Sequence, residues 1–192
     1  MIAIIDYNTG NIRSVMNALT RIGAADCVLT DDADTIRHAS HVLLPGVGEA
    51  GTAMNELRKR QLDTLIPTLT QPVLGICIGT QLMCLSSEEG DTTCLGIFPT
   101  RIVRFQSLKV PHMGWNTITS LRSPLLDGID EESYVYYVHS YYPEPCDCTI
   151  ARTEYGVPFS GALQRDNFFG TQFHPEKSGP VGEHILRNFL SL

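Results

Sequence analysis

The sequence predicts an α/β fold in which a mixed, mainly parallel sheet is flanked by helices, with antiparallel strands in the C-terminal half. In the first half, short apolar segments alternate with segments whose apolar residues recur at helical spacing. Strands this apolar are buried on both faces, as in parallel sheets covered by helices. In the second half, short segments of alternating polarity are separated by turn residues, which is typical of antiparallel strands.

The first half contains strands that are each followed by a helix. The strands are predicted at 2–5, 27–29, 42–44 and 73–76. The first helix is indicated by Ile12, Val15, Met16, Leu19 and Ile22, and it ends at Gly23. Further helices are predicted up to Ile36 after capping oxygens at 30–32, near 53–60 and near 62–69. The third strand is expected to stop at Pro45, and the fourth leads directly into Cys77.

The second half contains the shorter strands and one closing helix. The strands are predicted at 101–105, 116–119, 134–138, 149–153, 157–164 and 168–172. A terminal helix is predicted over 181–190, with Ile185, Leu186 and Phe189 on one face. No repeat or linker interrupts the pattern, so the sequence predicts a single domain over residues 1–192.

Composition and charge exclude several classes of function. The chain is 43% hydrophobic and 18% charged, which is typical of a globular protein, and its net charge is -7. A negative net charge argues against broad contact with nucleic acid, which requires clustered Lys and Arg. The apolar N-terminus is too short for a signal peptide, and no apolar run approaches the length of a membrane span, so a cytoplasmic location is expected.

The six cysteines are expected to be free thiols because no secretory signal is present. Cys146 and Cys148 are separated by one residue, which is tighter than the usual CxxC metal or redox pattern, and no second pair matches them. The sequence therefore predicts neither a metal site nor a cofactor.

The strongest local signal is the segment Gly-Ile-Cys-Ile-Gly at 75–79, directly after the fourth predicted strand. It has the form of a nucleophile elbow, G-x-S-x-G, with Cys in place of Ser. Its glycines permit a tight, strained turn, and the N-terminus of a following helix favours a thiolate. Cys77 is therefore a candidate nucleophile; the alternative is a cysteine simply buried among apolar neighbours.

A thiol nucleophile requires a base and a group that orients the base, and the segment Phe-His-Pro-Glu at 173–176 supplies both. Pro175 favours an extended conformation at His174. In an extended segment, residues two apart lie on the same side, so Glu176 can accept from one imidazole nitrogen while the other faces Cys77. The alternative is a surface loop with a solvated His and Glu.

The loop Pro-Gly-Val-Gly at 45–48 is a third candidate element. Its glycines allow backbone N–H groups to approach a ligand, as an oxyanion hole requires. The carboxyl ends of parallel strands gather on one edge of a sheet, so this loop can meet the cysteine there. The N–H groups of Val47 and Ile78 are the candidate oxyanion donors, and an ordinary strand-to-helix turn is the alternative.

PGVG at 45–48, GICIGTQ at 75–81 and QFHPEKS at 172–178 together resemble the class I (triad) glutamine amidotransferases. More narrowly, PGVG, PHMGWN at 111–116, VHSY at 138–141 and the Pro-Glu-Lys-Ser ending resemble the glutaminase subunits of imidazole glycerol phosphate synthases. The resemblance spans the whole chain and implies a flavodoxin-like domain. Asn8 and Thr80 depart from the common family pattern of Gly and a larger apolar residue, respectively.

The resemblance implies that the protein hydrolyses L-glutamine through a glutamyl thioester on Cys77, with His174 as base and Glu176 orienting the imidazole. It implies that Gln81 holds glutamine, and Glu89 is a weaker candidate for contact with its amino group; the alternative for Glu89 is a solvated acid. The ammonia is expected to pass to a (β/α)₈-barrel cyclase in a heterodimer for histidine biosynthesis. Plausible interface contacts are Tyr7, Asn8, Asn11, Met113, Trp115 and Tyr136, with core packing as the alternative for Met113 and Trp115.

Two rival interpretations remain at the level of sequence. The partner can be another synthase, such as one of the anthranilate type, although PGVG and PHMGWN argue against it. The chain can also be a regulatory subunit that has lost catalysis, although it retains Cys77, His174 and Glu176. The first rival predicts ammonia transfer to a different synthase, and the second predicts no hydrolysis of glutamine.

Overall fold

The structure is a computed structural model, and it describes residues 1–8, 12–106 and 108–192. The strands of the first half are β1 (Ile2–Ile5), β2 (Cys27–Thr30), β3 (His41–Gly46), β4 (Val73–Cys77), β5 (Ser86–Ser87) and β6 (Thr92–Thr93). The later strands are β7 (Arg101–Arg104), β8 (His112–Ile118), β9 (Ser133–His139), β10 (Tyr141–Pro143), β11 (Thr149–Glu154), β12 (Pro158–Arg165) and β13 (Phe168–Thr171). The helices are α1 (Ile12–Arg21), α2 (Ala33–His38), α3 (Ala50–Lys59), α4 (Leu62–Leu65), α5 (Ile78–Leu82) and α6 (Gly179–Leu190).

The main sheet has seven strands in the order β11-β12-β13-β4-β3-β1-β2. The strands from β13 through β2 are parallel, whereas β11, β12 and β13 pair antiparallel. The predicted fold class, a mainly parallel sheet with antiparallel strands in the C-terminal half, is therefore confirmed. The parallel part carries the site because its strands end at a common edge.

Helices cover both faces of the sheet because successive residues of each strand point to opposite sides. In β1, Ala3 and Ile5 join the core beneath α2, α3 and α4, whereas Ile2 and Ile4 join the core beneath α1 and α6. Each face thus has its own continuous apolar core. The near-continuous apolar character of β1, β3 and β4 follows from burial on both faces.

The predicted elements occur in the predicted order, but β5, β6 and β10 were not predicted and several boundaries differ. β3 runs through Pro45 to Gly46 rather than stopping at Pro45, because residues up to Gly46 remain paired with β4. β7, β10, β5 and β6 form a separate four-stranded sheet, and β8 and β9 form a two-stranded one. The short strands β5, β6 and β10 have no periodicity that the sequence reveals, since they contain only two or three residues each.

Two further observations bear on the broad class of the molecule. Within the described ranges, no helix combines the length and apolar character needed to cross a membrane. All six cysteines are free.

Candidate active site

Three segments meet at the carboxyl edge of the parallel sheet. β4 lies between β3 and β13, with Gly46 opposite Cys77 and Thr171 opposite Ile76. The loop after β3, the residue that ends β4 and the segment after β13 therefore emerge side by side. This arrangement brings together the three motifs that the sequence singled out.

Cys77 lies in the strained turn that its flanking glycines predict. Its backbone has φ 55° and ψ -108°, a combination outside the usual regions for a residue with a side chain. A Cβ at residue 79 would collide with the carbonyl oxygen of Leu44, so only glycine allows the start of α5 to pack this closely on β3. The backbone therefore fixes the direction in which the thiol points.

The buried hydrogen bonds of Thr80 account for one departure from the family pattern. Its side chain is fully buried, and its hydroxyl oxygen lies 2.9 Å from the carbonyl oxygen of Gly75 and 2.8 Å from that of Thr171. The hydroxyl can donate to either carbonyl and so ties the elbow to β4 and β13. A small polar side chain replaces apolar packing here with a hydrogen bond.

His174 and Glu176 form the buried pair that the sequence predicts. The His174 backbone is extended, and a 3₁₀ turn begins at Pro175. His174 Nδ1 lies 2.8 Å from Glu176 Oε1, and both side chains are fully buried. The alternative of a solvated surface loop is wrong, because neither side chain is accessible to solvent.

The charges around His174 favour its protonated form. Burial by itself disfavours the imidazolium, but the Cys77 thiolate and Glu176 outweigh this cost and raise the pKa of His174 to about 10. The buried Nε2 atom has no well-formed hydrogen bond among the described residues, although the sulfur is close enough to interact with the ring. Cys77 and His174 are thus placed for proton transfer between the sulfur and the imidazole.

Two further groups contact the sulfur. Cys77 Sγ lies 4.0 Å from the carbonyl oxygen of Val138, and the side-chain amide of Gln172 donates to it over 3.7 Å. Sequence reasoning missed Gln172, although it stands in the motif that contains His174. Its partner is a residue 95 positions away, which no local pattern could reveal.

These groups open into a cavity of about 300 Å³, a size that suits a small polar molecule. The predicted residues Val47, Cys77, Ile78, Gln81, Glu89 and His174 all line it. Sequence reasoning assigned no role here to Gly48, Pro111, Val138, His139, Ser140 and Tyr141, which also line it. Pro111 and residues 138–141 belong to the PHMGWN and VHSY segments, so those motifs were the available signal.

Gln81 is held firmly in the cavity wall. Its amide nitrogen donates to the carbonyl oxygen of Tyr141 at 3.0 Å and to Gln172 Oε1 at 2.9 Å. Both amide hydrogens are therefore used, and the buried Oε1 atom has no partner among the described residues. This oxygen is a buried, unused acceptor in the wall of the cavity.

Glu89 belongs to the cavity rather than to the solvated acidic surface. Its Oε2 atom accepts a hydrogen bond of 2.9 Å from the backbone N–H of Ala50, at the start of α3. Partial burial raises the pKa of this carboxyl. In the described part of the chain, no group of three or more His, Cys, Asp or Glu side chains could hold a metal ion.

The predicted interface residues do not share one surface. Tyr7 is fully buried and its hydroxyl donates to the carbonyl oxygen of Pro45 at 2.8 Å, so its prediction as a surface contact is wrong. Asn8 is exposed with φ 68°, a conformation that Asn tolerates in place of the usual Gly. Asn11 lies outside the described residues.

Met113 and Trp115 are surface residues. They are 63% and 56% exposed, so core packing is not their role. Tyr136 lies beside them on β9, with its ring centroid 5.9 Å from that of Trp115. The outer face of the β8–β9 hairpin is therefore an exposed aromatic surface.

Comparison with known proteins gives the family. The model of the family described as glutamine amidotransferase class-I matches residues 3–192. A relative from Bacteroides thetaiotaomicron, named imidazole glycerol phosphate synthase subunit HisH, is 55% identical, with 100% of this chain and 99% of the relative covered. One of the same name from Shewanella loihica is 47% identical, with 98% and 89% covered.

Solved structures support the same fold. A glutamine amidotransferase of known crystal structure aligns with a TM-score of 0.76 at 14% identity, covering 100% of this chain and 98% of that one. Another, from Thermotoga maritima, aligns with a TM-score of 0.68 at 15% identity, covering 99% and 82%. At such identities the likeness concerns the fold, whereas the family model and the relatives above concern the sequence itself. The chain belongs to the class-I glutamine amidotransferases.

Proposed function

We propose that this protein is the glutaminase subunit of an imidazole glycerol phosphate synthase, which supplies ammonia to a cyclase partner in histidine biosynthesis. The observation that carries the proposal is that Cys77 and His174 line one cavity of about 300 Å³, with Glu176 hydrogen-bonded to His174. The relatives named HisH, at up to 55% identity over the full chain, support the choice of synthase.

In the first chemical step Cys77 acts as a thiolate and His174 as an imidazolium. The Cys77 thiolate attacks the side-chain amide carbon of L-glutamine, and the carbonyl π bond opens to an oxyanion. As the oxyanion collapses, the C–N bond breaks and His174 gives its proton to the departing nitrogen. The products of this step are ammonia, a glutamyl thioester and a neutral imidazole.

The second step returns the enzyme to its starting state. Neutral His174 takes a proton from water, which attacks the thioester carbon. The C–S bond then breaks to release glutamate and the Cys77 thiolate, and His174 is again an imidazolium. Glu176, hydrogen-bonded to Nδ1, holds the ring in place and stabilises its charged form in both steps.

Four other residues complete the proposed glutamine site. The N–H groups of Val47 and Ile78, which both line the cavity, are assigned to the oxyanion. Gln81 lines the same cavity and is assigned to holding the substrate. The Glu89 carboxylate, in the same wall, suits the substrate's α-ammonium group.

The partner surface is assigned to the outer face of the β8–β9 hairpin. Met113 and Trp115 present exposed apolar and aromatic area, and the half-buried Tyr136 packs against Trp115; such residues are enriched at protein interfaces. The other face of the same hairpin reaches the cavity through His139. We assign the (β/α)₈-barrel cyclase to this outer face.

Replacement of Cys77 by Ala tests the function. We expect Cys77→Ala to abolish glutamine-dependent synthesis by the reconstituted complex with the cyclase, while synthesis from added ammonium salt stays within about twofold of wild type, because only the nucleophile is removed. Cys27→Ala, at a half-buried cysteine of β2, is the matched control and should retain both activities. Glutamine-dependent synthesis by Cys77→Ala would overturn the assignment.

A further inference from the structure

A buried pair of histidines joins the two strands of the β8–β9 hairpin. His112 and His139 are directly opposite each other in the hairpin and are only 4% and 6% exposed. His112 Nδ1 lies 2.9 Å from His139 Nε2, and His139 Nδ1 lies 2.8 Å from the carbonyl oxygen of Tyr141. Neither ring takes part in the chemistry described above.

The hydrogen bonds of this pair have one possible direction. A carbonyl oxygen only accepts, so His139 Nδ1 must donate to Tyr141, and in a neutral ring His139 Nε2 must then accept from His112 Nδ1. His112 Nε2 is left as an acceptor, and the amide nitrogen of Asn116 lies 3.3 Å from it. In their neutral state both rings therefore carry the hydrogen on Nδ1.

The surroundings of the two rings keep them neutral. His112 stacks on Tyr155 at a centroid distance of 4.0 Å, and His139 meets the edges of Phe105 and Phe159 at 5.3 and 5.2 Å. Burial lowers the pKa of His112 to about 4 and that of His139 to about 3. The pair thus acts through fixed hydrogen bonds rather than by taking up a proton at neutral pH.

The chain of hydrogen bonds continues to the nucleophile. The carbonyl oxygen of Tyr141 accepts from His139 and also from the side chain of Gln81. Gln81 donates its second amide hydrogen to Gln172, whose own amide nitrogen contacts the sulfur of Cys77. The direction of the Gln81 amide, and hence the place of its free oxygen, depends on where the Tyr141 carbonyl is held.

We propose that His112 and His139 are positioning residues for glutamine, an inference that rests on the glutaminase function proposed above. They fix the carbonyl of Tyr141, and this carbonyl holds the amide of Gln81, which lines the cavity assigned to glutamine. His139 lines the cavity, but both of its ring nitrogens are occupied, so it acts through Tyr141 and not by contact with the reacting atoms. Their loss should weaken glutamine binding more than turnover.

Two substitutions at residue 139 distinguish a positioning role for His139 from a role in packing alone. In His139→Asn the side-chain amide can occupy the place of Nδ1 and still donate to Tyr141, whereas in His139→Gln the longer side chain carries its amide beyond that place. We expect His139→Gln to raise the KM for glutamine about tenfold with kcat within about threefold, the effect of one lost hydrogen bond at the site. His139→Asn should restore KM to within about threefold of wild type.

Labelling of Cys77 extends the test to the free chain. A chloroketone analogue of glutamine should label wild type and His139→Asn at similar half-saturating concentrations and His139→Gln at a higher one, while iodoacetamide alkylates all three. If the analogue labels both variants at the same half-saturating concentration, this inference is overturned but the glutaminase function is not. Failure of the analogue to label wild type, with iodoacetamide still effective, would overturn the glutaminase function and this inference with it.

A measurement on the unmodified protein keeps the inference testable even if the variants fail to fold. Nitrogen NMR of ¹⁵N-histidine-labelled protein at neutral pH should show both His112 and His139 as neutral rings with the hydrogen on Nδ1. Observation of the Nε2–H form at either ring would reverse the hydrogen-bond direction and overturn the proposal.

Discussion

His174 and His139 line the same cavity, yet their environments differ in charge. Both rings are buried, and burial alone disfavours the imidazolium. His174 has Glu176 and Cys77 beside it, and its pKa is raised to about 10. His139 has aromatic rings and the neutral His112 beside it, and its pKa is lowered to about 3. Neighbouring charge, rather than burial, therefore decides which histidine can transfer protons.

The largest expected effect comes from removing the charge beside His174. We expect Glu176→Gln to lower kcat/KM for glutamine by at least about 100-fold, because the imidazole loses the carboxylate that stabilises its charged form. The pKa of His174 should also fall, so the alkaline limit of the pH–rate profile should move to lower pH. Steady-state kinetics of the reconstituted complex from pH 6 to 10 would measure both effects.

The control for this change is Glu183→Gln, which removes a carboxylate of the same size from the surface of α6, where it pairs with Arg21. It should leave the profile unchanged. A Glu176→Gln profile that coincides with wild type would show that charge beside the ring is not what distinguishes His174 from His139.

A second expected effect concerns stability in acid. His112 and His139 are held neutral with pKa values of about 4 and about 3, whereas in the unfolded chain they take up protons below about 6.5. The stability that they contribute is present above pH 6.5 and is lost as the pH falls towards 4, by up to about 1.4 kcal/mol per pH unit for each ring. His174 acts in the opposite sense, since its contribution is present below pH 6.5 and is lost as the pH rises through about 10.

Denaturant unfolding of wild type and His112→Phe at pH 7, 5.5 and 4.5 would test this difference. Phe keeps the aromatic stacking but cannot be protonated, so the stability gap between the two proteins should narrow as the pH falls. Parallel stability curves would contradict a neutral, buried His112.

The smallest expected effect separates the elbow from the hairpin by removal of one buried hydroxyl from each. The Thr80 hydroxyl bonds the elbow to its strands, and the Tyr137 hydroxyl lies 2.6 Å from Thr153 Oγ1 behind the hairpin. Thr80→Val and Tyr137→Phe should each cost about 1–2 kcal/mol of unfolding free energy. Only Thr80→Val should slow the alkylation of Cys77 by iodoacetamide, by roughly a few-fold, because only it loosens the turn.

Thermal unfolding and the alkylation rate together check this pair. Slowing of both variants to the same degree would show that the reactivity of Cys77 follows overall stability and not the local hold on the elbow.

The same contrast explains what the sequence could and could not predict. The three catalytic groups belong to motifs at the ends of apolar strands, and the geometry of parallel sheets brings such ends together, so Cys77, His174 and Glu176 were predictable as a group. The strained turn at Cys77 followed from its flanking glycines. Local sequence therefore predicts a site best when one sheet edge assembles it.

Side-chain contacts that no sequence periodicity specifies were not predictable. Gln172 reaches Cys77, and His139 reaches Tyr141 and His112, through side chains whose partners no periodicity specifies. Tyr7 was misassigned for the same reason, because its partner is the carbonyl of Pro45 on a neighbouring strand. No local sequence pattern indicates whether a polar aromatic residue that follows a strand is buried by another segment.

The contact between residue 79 and Leu44 has a consequence for chemical design. Because the main chain of β3 and the glycine at 79 determine how the turn is bent, the location of the reactive atom does not depend on the element that occupies it. Serine or selenocysteine at residue 77 would present oxygen or selenium at the same spot. The turn therefore holds residue 77 in one position, so oxygen, sulfur and selenium nucleophiles can be compared there at constant geometry.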